Sequence, residues 1–373
     1  MKILLLGEYS NVHATLADGL RALGHTVTVA SNGDFWKDYP ADISLKRKPG
    51  KLGGISLMLK VWALMHKFTG YDIVQLINPM FMELKAERLF GIYDYLKKHN
   101  MAVVLGAYGM DWYWVKTCSH DMPLRYSDFN IGKQLRTNAD AVREQKDWMG
   151  TAKERLNRKI ADECDGIVAG LYEYWVCYKD VFNAKTTFIP FPIKPQGVKP
   201  KAKGEKLKIF IGINKSRSEY KGTDIMLKAA EAVKANYPER VELEVAESVP
   251  FAVYEKMMNC SDVILDQLYS YTPAMNALLA MSKGIICVGG GEEENYGIIN
   301  ENELRPIVNV TPSYQSVYDS LKRLATMPDD EIMSLKRQSI EYTRRHHDYI
   351  KVAQQYADFY VNILSRKDEM QRV

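Results

Sequence analysis

MKILLLGEYSNVHATLADGLRALGHTVTVAS, residues Met1–Ser31, reads as strand, glycine turn, amphipathic helix, tight turn and second strand. Ile3–Leu6 is an unbroken apolar run, and a loop follows at Gly7–Asn11. Leu16, Leu20 and Leu23 then recur at helical spacing. Gly24 stops that helix, and the β-branched run Thr26–Val29 forms the next strand. Crossovers of this kind are right-handed and feed a parallel sheet, so the opening predicts a doubly wound α/β domain.

Working outward, short apolar runs at Ile73–Ile77, Val103–Ala107 and Gly166–Ala169 extend the same sheet, separated by helical stretches at Phe90–Lys98 and Thr151–Cys164. The first domain is therefore expected over 1–190. FIPFPIKP, residues Phe188–Pro195, and the Lys/Gly-rich Gly197–Lys206 carry four prolines with Pro200 and no strand or helix period, which predicts a stiffened linker at 191–206. The chain then repeats its plan over 207–348. Strands are expected at Lys208–Ile211, Val241–Ala246, Val263–Gln267, Gly284–Val288 and Pro306–Val308, with helices at Gly222–Lys234, Val253–Asn259 and Met275–Ser282 between them. A last helix begins near Tyr349 and closes the chain, over 349–373. The fold class is α/β, two Rossmann-like doubly wound domains.

Bulk properties agree and exclude several classes. A chain of 373 residues exceeds one ordinary core, since single cores stop growing near ~250–300 residues. A hydrophobic fraction of 46% and a formal net charge of +4 describe a globular protein without the basic arrays that meet nucleic acid. The five cysteines are widely spaced with no C-x-x-C pair, so neither a disulfide framework nor a zinc site is expected. The apolar run at the start is one strand long, too short for a signal peptide or a spanning helix, and the expected location is the cytoplasm or the inner face of a membrane.

Ligands of open α/β sheets bind beyond the carboxyl ends of strands, where backbone N–H groups and helix N-termini favour anions. Gly212-Ile-Asn-Lys-Ser-Arg-Ser-Glu-Tyr-Lys-Gly222 follows a strand and opens a helix, placing Lys215, Arg217 and Lys221 where a diphosphate would be neutralised. A solvated basic loop is the alternative, and the P-loop pattern is absent. Asp266–Asn276 also joins a strand to a helix. Thr272 is expected to cap that helix with Pro273 at its first position, and Asn276 to meet a hydroxyl; a structural cap alone is the other reading. Gly289-Gly-Gly-Glu-Glu-Glu-Asn295 offers close backbone approach and acids such as Glu292 for sugar hydroxyls, or is a surface loop.

In the first domain, His13 stands beside Gly7 and Ser10 at the start of the first helix, either facing the ligand or structural. Asp111 and Trp112, within Gly106-Ala-Tyr-Gly-Met-Asp-Trp-Tyr-Trp114, combine a carboxylate with aromatic rings, a pairing that suits carbohydrate; an aromatic cluster packed between helices is the alternative. The basic run Lys46–Lys51 leads into the apolar, Trp62-bearing Ile55–Phe68, so 46–68 is a candidate for peripheral contact with an anionic membrane or a buried helix with a solvated lead.

These segments resemble the retaining GT-B glycosyltransferases called group 1 or family 4. EYSNVHATLADGLRALGHTVTVAS looks like the family's first βαβ unit, YDIVQLINP like its third-strand segment and FIPFPI like its interdomain linker. Arg217 with Lys221-Gly222 looks like its donor-diphosphate site, and VPFAVYEKMMNCSDVILDQLYSYTPAMNALLAMSKGIICV like the stretch that contacts the donor ribose and phosphates. RRHHDYIKVAQQYADFY looks like the closing helix that crosses back to the first domain. One position departs: Leu279 stands where the family commonly carries the acid that holds the ribose hydroxyls, so Asn276 or Glu292–Glu294 supplies that contact or donor binding is weakened.

The resemblance implies two domains facing across a cleft and transfer of a sugar from a nucleoside-diphosphate donor to a hydroxyl of a carbohydrate or lipid-linked acceptor, in polysaccharide or glycoconjugate assembly. It implies retention, no metal or other cofactor, and Arg217 and Lys221 at the reaction centre; the strand-end reading adds Asp111 and His13 there, Gly212, Lys215, Gly222, Thr272, Asn276 and Glu292 on the donor, and Gly7, Ser10, His13, Asp111 and Trp112 on the acceptor side. The rivals are a binding or scaffold protein without catalysis and a nucleotide-sugar epimerase.

Overall fold

The computed structural model describes residues 1–50, 52–197 and 199–371. Lys51 of the basic run, Val198 of the linker and the last two positions of the closing segment lie outside the described residues. Two compact units emerge: Met1–Thr117, Glu144–Pro192 and Tyr349–Val373 form the first, and Cys118–Arg143 with Ile193–Asp348 form the second.

The first unit is built on a seven-stranded sheet, all of whose pairings are parallel. Its strands are β1 (Lys2–Leu6), β2 (Thr26–Ser31), β3 (Ile43–Ser44), β4 (Ile73–Leu76), β5 (Ala102–Ala107), β6 (Gly166–Ala169) and β7 (Thr186–Phe188), in the order β3-β2-β1-β4-β5-β6-β7. Ile3 to Leu6 are wholly buried, as an unbroken apolar strand with both faces covered requires. The helix Val12–Ala22 turns its buried Val12, Leu16 and Leu20 to the core. The chain reverses direction across the sheet between β1 and β4, where ligands of such sheets bind.

The closing helix Tyr349–Gln371 belongs to this first unit. It buries Val352, Ala353, Tyr356, Tyr360 and Ile363, a helical period, and meets Val12–Ala22 at Gly19. An added Cβ on Gly19 would stand 2.3 Å from the Tyr349 carbonyl oxygen, so only glycine lets the two helices approach this closely.

The second unit carries a five-stranded parallel sheet of β8 (Leu207–Ile213), β9 (Val241–Glu247), β10 (Val263–Leu265), β11 (Ile286–Gly289) and β12 (Val308–Asn309), in the order β9-β8-β10-β11-β12. Its switch point lies between β8 and β10. Ile209, Ile211, Val263, Leu265, Ile286 and Val288 form the centre of its core, covered by helices Thr223–Asn236 and Tyr314–Thr326.

One boundary differs from the sequence expectation of a continuous 1–190. Cys118–Arg143 packs with the second unit. The cause is a set of polar anchors: Arg125 pairs with Glu292 at 2.8 Å and Glu294 at 2.5 Å, and Tyr220 donates to Asp128 at 2.9 Å. Arg136 donates to the Glu219 and Tyr220 carbonyls while its guanidinium stands 3.5 Å from the Tyr269 ring centroid. Nothing local in the sequence reports pairings that join residues more than 80 positions apart.

The candidate donor and acceptor sites

In the second unit, the three segments singled out from sequence converge at the carboxyl ends of β8, β10 and β11. The Leu268 amide donates to the Lys221 carbonyl at 3.0 Å, and the Glu292 amide to the Tyr271 carbonyl at 3.2 Å. Gly222 holds φ at 75°, and a Cβ there would stand 2.6 Å from Leu268 Cβ, so this glycine is what lets the basic loop turn into Thr223–Asn236 against the loop after β10. Gly212 and Gly290 are used likewise for packing: added Cβ atoms would meet the Tyr254 ring and the Ser270 carbonyl, each within 2.3 Å. Gly290 thus makes its close approach to the turn after β10.

Arg217 and Lys221 share this site with two carboxylates, the buried Asp266 and the half-buried Asp128. Burial holds Asp128 above the usual carboxylate range, opposed by the hydrogen bond from Tyr220 and the positive charges of Arg136, Arg217 and Lys221. Burial likewise raises Asp266, opposed first by the Lys221 charge and then by a hydrogen bond to Asn276. Arg217 leans on the Tyr220 ring at 4.9 Å, and its Nε is shielded from solvent with no hydrogen-bond partner among the described residues. A buried guanidinium nitrogen without a partner costs free energy, which an acceptor oxygen reaching it would recover.

Other expected donor residues are engaged elsewhere. Lys215 is exposed and pairs at 3.0 Å with Glu247, on the edge strand β9. The helix spans Met275–Ser282 as expected, but Thr272 does not cap it: Ala274 holds the cap position and Pro273 precedes it. The Thr272 carbonyl accepts from Ser270 at 2.6 Å, which fixes the turn ahead of the helix. Asn276 exchanges hydrogen bonds with the Tyr254 hydroxyl at 2.9 Å, and Glu292 accepts from Tyr126 besides pairing with Arg125. Arg125, Tyr126, Asp128 and Arg136 are the participants that sequence reading missed.

The first unit presents a cavity of about 1000 Å³ at its own switch point. Gly7 after β1 and Asn78 after β4 line it, with Glu8, Ser31 and Asn32 as polar groups, Arg47, Lys85, Arg88 and Lys153 as cations, and Phe81, Met82 and Trp148 as apolar wall. Gly7 sits at φ 89°, and a Cβ would stand 2.3 Å from Ile77 Cγ2.

Of the four expected acceptor-side polar residues, none lines this cavity. His13 is a core residue: its Nδ1–H donates to the Gly7 carbonyl at 2.8 Å, and Nε2 accepts from the Gln75 amide at 3.2 Å. Gln75 in turn accepts from Tyr360 at 2.6 Å and donates to Tyr108, which bonds Tyr356, so the closing helix is tied to the sheet through a dry polar chain. Burial pushes His13 down to about 3, keeping it neutral. Asp111 caps Trp112–Lys116 by accepting from the Trp114 amide at 2.8 Å and takes the Tyr178 hydroxyl at 2.7 Å, which occupies the carboxylate in holding structure. Trp112 is half-buried over Arg158. Ser10 accepts from Lys37 at 3.2 Å and gives its amide to Asp34 at 2.8 Å.

Five acids line the cavity instead, Glu8, Glu83, Glu87, Glu144 and Asp147, and Glu8 is the one buried beside Gly7. Its carboxylate accepts from the His13 and Ala14 amides, yet burial pushes it up to about 8. Between about 4.5 and about 8 the folded protein therefore holds a proton that the unfolded chain has released, and this contribution to stability fades as pH rises through that window. The expected result is that the unfolding free energy of Glu8→Gln, compared with the parent by urea titration, improves steadily from pH 5 to pH 8, by at most about 1.4 kcal/mol per pH unit. A difference that stays flat with pH would show Glu8 ionised throughout.

No family model and no curated protein sequence matches the chain. Solved structures do. Sucrose-phosphate synthase from Thermosynechococcus elongatus aligns with a TM-score of 0.64 at 14% identity, over 98% of this chain and 100% of that one. The Anabaena protein HepE, solved in complex with UDP and glucose, aligns with a TM-score of 0.60 at 12% identity over 97% and 100%. The catalytic domain of starch synthase IV from Arabidopsis thaliana, bound to ADP and acarbose, gives 0.54 at 10% over 98% and 99%. The likeness shows the fold: this chain has the two Rossmann-like domains of the GT-B glycosyltransferases.

Proposed function

We propose that the chain is a glycosyltransferase that moves a sugar from a nucleoside-diphosphate donor to a hydroxyl acceptor. The observation that carries it is the convergence of Arg217 and Lys221 at the switch point of the second sheet, with the Arg217 Nε unpartnered. Breaking the glycosidic bond leaves negative charge on the diphosphate, and two fixed cations in a partly buried site stabilise that charge without reorganising. In this reading no metal is required for charge neutralisation, and the carboxylates Asp128 and Asp266 keep the cations positioned until the donor arrives. The structures solved with UDP or ADP support the choice of donor class.

The cavity of the first unit is proposed to take the acceptor. Its polar groups and its mixed acids and cations suit hydroxyls, and its apolar wall suits a ring or a lipid link. Retention and a role in polysaccharide or glycoconjugate assembly follow the family resemblance.

Leu279 supports a second reading. It stands half-buried where the family commonly has an acid, while Asn276 and Glu292 are held by Tyr254 and Arg125. A protein that binds nucleotide but does not turn over would fit this arrangement. Calorimetric titration with UDP, ADP and GDP, followed by turnover with the matching nucleotide sugars, separates the cases. Binding with transfer supports the transferase, binding without consumption of any donor supports the binding protein, and silence across the panel removes the donor site itself. Consumption of donor without an acceptor would instead identify an epimerase.

A further inference from the structure

The helix Gly53–Leu64 is apolar on both sides but buried on only one. Leu57 and Val61 face the protein, and Phe68 continues that buried stripe. On the other side Leu52, Ile55, Leu59 and Trp62 recur at intervals of three and four residues, and they are 74%, 50%, 67% and 69% exposed. A helix whose outer stripe carries four large apolar side chains needs a cover, because soluble surfaces rarely leave such rows in water. Trp62 at the far end has the amphipathic ring that settles at lipid headgroups.

The charge around the stripe selects the cover. Between Asp42 and Asp72 the sequence has no acidic residue, yet it carries Lys46, Arg47, Lys48, Lys51, Lys60 and Lys67. Lys60 and Lys67 are exposed on the same stretch as the stripe. A second copy of this chain would bring like charges together at that face. An anionic lipid surface satisfies both the apolar row and the cations. No described helix is long and apolar enough to cross a membrane, so contact would be made in the plane of the surface.

We infer that Gly53–Leu64 lies on an anionic bilayer, its Leu52–Ile55–Leu59–Trp62 stripe in the acyl boundary and its flanking lysines on the headgroups. Ile55 and Gly54 also line the first unit's cavity, with Arg47 beside them. A molecule held in that cavity is thus presented next to the lipid. The inference does not depend on the transferase reading, since it rests on a different face of the protein.

The test is co-sedimentation of the full chain with vesicles of phosphatidylcholine alone or with phosphatidylglycerol added. Expected is binding only when phosphatidylglycerol is present, weakening as salt rises. Leu59→Glu with Trp62→Glu should abolish binding, and Lys60→Glu with Lys67→Glu should weaken it by about tenfold or more. All four positions are exposed, so unchanged melting and unchanged nucleotide binding will certify the variants. Absence from both vesicle pellets, or binding that survives Leu59→Glu with Trp62→Glu, would overturn the inference. So would a dimer in light scattering that those two substitutions dissolve, because it would assign the stripe to self-association.

Discussion

Arg217→Ala and Lys221→Ala are each expected to lower the rate of glycosyl transfer by about 10²–10³-fold, the loss typical when one fixed group facing developing charge is removed. Both side chains leave the core unchanged. Arg217 is partly exposed, with its guanidinium against the Tyr220 ring; the Lys221 backbone carbonyl, which accepts from Leu268, survives truncation, while the Lys221 charge that steadies Asp266 and Asp128 is lost. Melting temperature should stay near the parent's for Arg217→Ala and fall for Lys221→Ala, whose charge steadies Asp266, while turnover collapses in both. Lys215→Ala is the internal control: its ammonium pairs with Glu247 on the edge strand, and removal should change transfer less than about twofold, as for most surface sites. Near-normal turnover in both the Arg217 and Lys221 variants would refute the assignment. Equal losses in all three variants would mean that the loop acts through its net charge alone.

Asp128 sharpens the same experiment. Its carboxylate feels the charges of Arg136, Arg217 and Lys221, so it holds the cationic loop in place and competes with an incoming phosphate for it. Asp128→Asn keeps an acceptor for the Tyr220 hydroxyl and removes the charge. Nucleoside diphosphates should then bind more tightly in calorimetry, by up to about tenfold for loss of one partly screened like charge. Weaker binding would show instead that the carboxylate is needed to orient Arg217 or Lys221.

Both sheets were legible because their strands are continuous apolar runs closed by glycine or by helical spacing. Ile3–Leu6 and Val263–Leu265 lie buried on both faces, and such strands declare themselves by composition. The basic loop and the loop after β10 could be placed because ligand loops follow strand ends in this architecture, whatever their sequence. His13 and Asp111 show the limit. A histidine or aspartate next to a helix start has the same local pattern whether it faces a ligand or caps and ties the core. Only long-range partners decide: Gln75 stands 62 positions from His13, and Tyr178 stands 67 from Asp111. Glu8 was hidden for the converse reason, since one acid after a strand looks like ordinary loop polarity until the cavity beside it is known. The exchange of Cys118–Arg143 into the second unit rests on the partners that Arg125, Asp128 and Arg136 find at Glu292, Tyr220 and Glu219, all remote in sequence.

The largest expected loss of stability lies at the opposite end of β10 from the basic loop, at Asp262 directly before that strand. Lys336, on the helix Asp329–His346, is 1% exposed, and its ammonium donates to Asp262 at 2.5 Å and to the Lys201 carbonyl at 2.8 Å. The second Asp262 oxygen accepts the Lys208 amide at 2.8 Å, so one carboxylate joins this helix, the linker and the first strand of the second sheet. Lys336→Met preserves most of the side-chain length and its apolar packing but leaves the carboxylate buried without its cation. Breaking a pair in this way costs about 3–5 kcal/mol, mostly the penalty of the charge left behind. That origin predicts a signature. Asp262→Asn in the Lys336→Met background should restore a large part of the loss, because the amide oxygen still accepts from Lys208 and no unpaired charge remains. Urea unfolding of the four proteins, followed on the transition of the second unit, closes the cycle, with an expected coupling of about 1–3 kcal/mol. A loss under about 1 kcal/mol for Lys336→Met, or a double variant no better than the single one, would mean that water or a neighbouring cation reaches Asp262 once the lysine is gone.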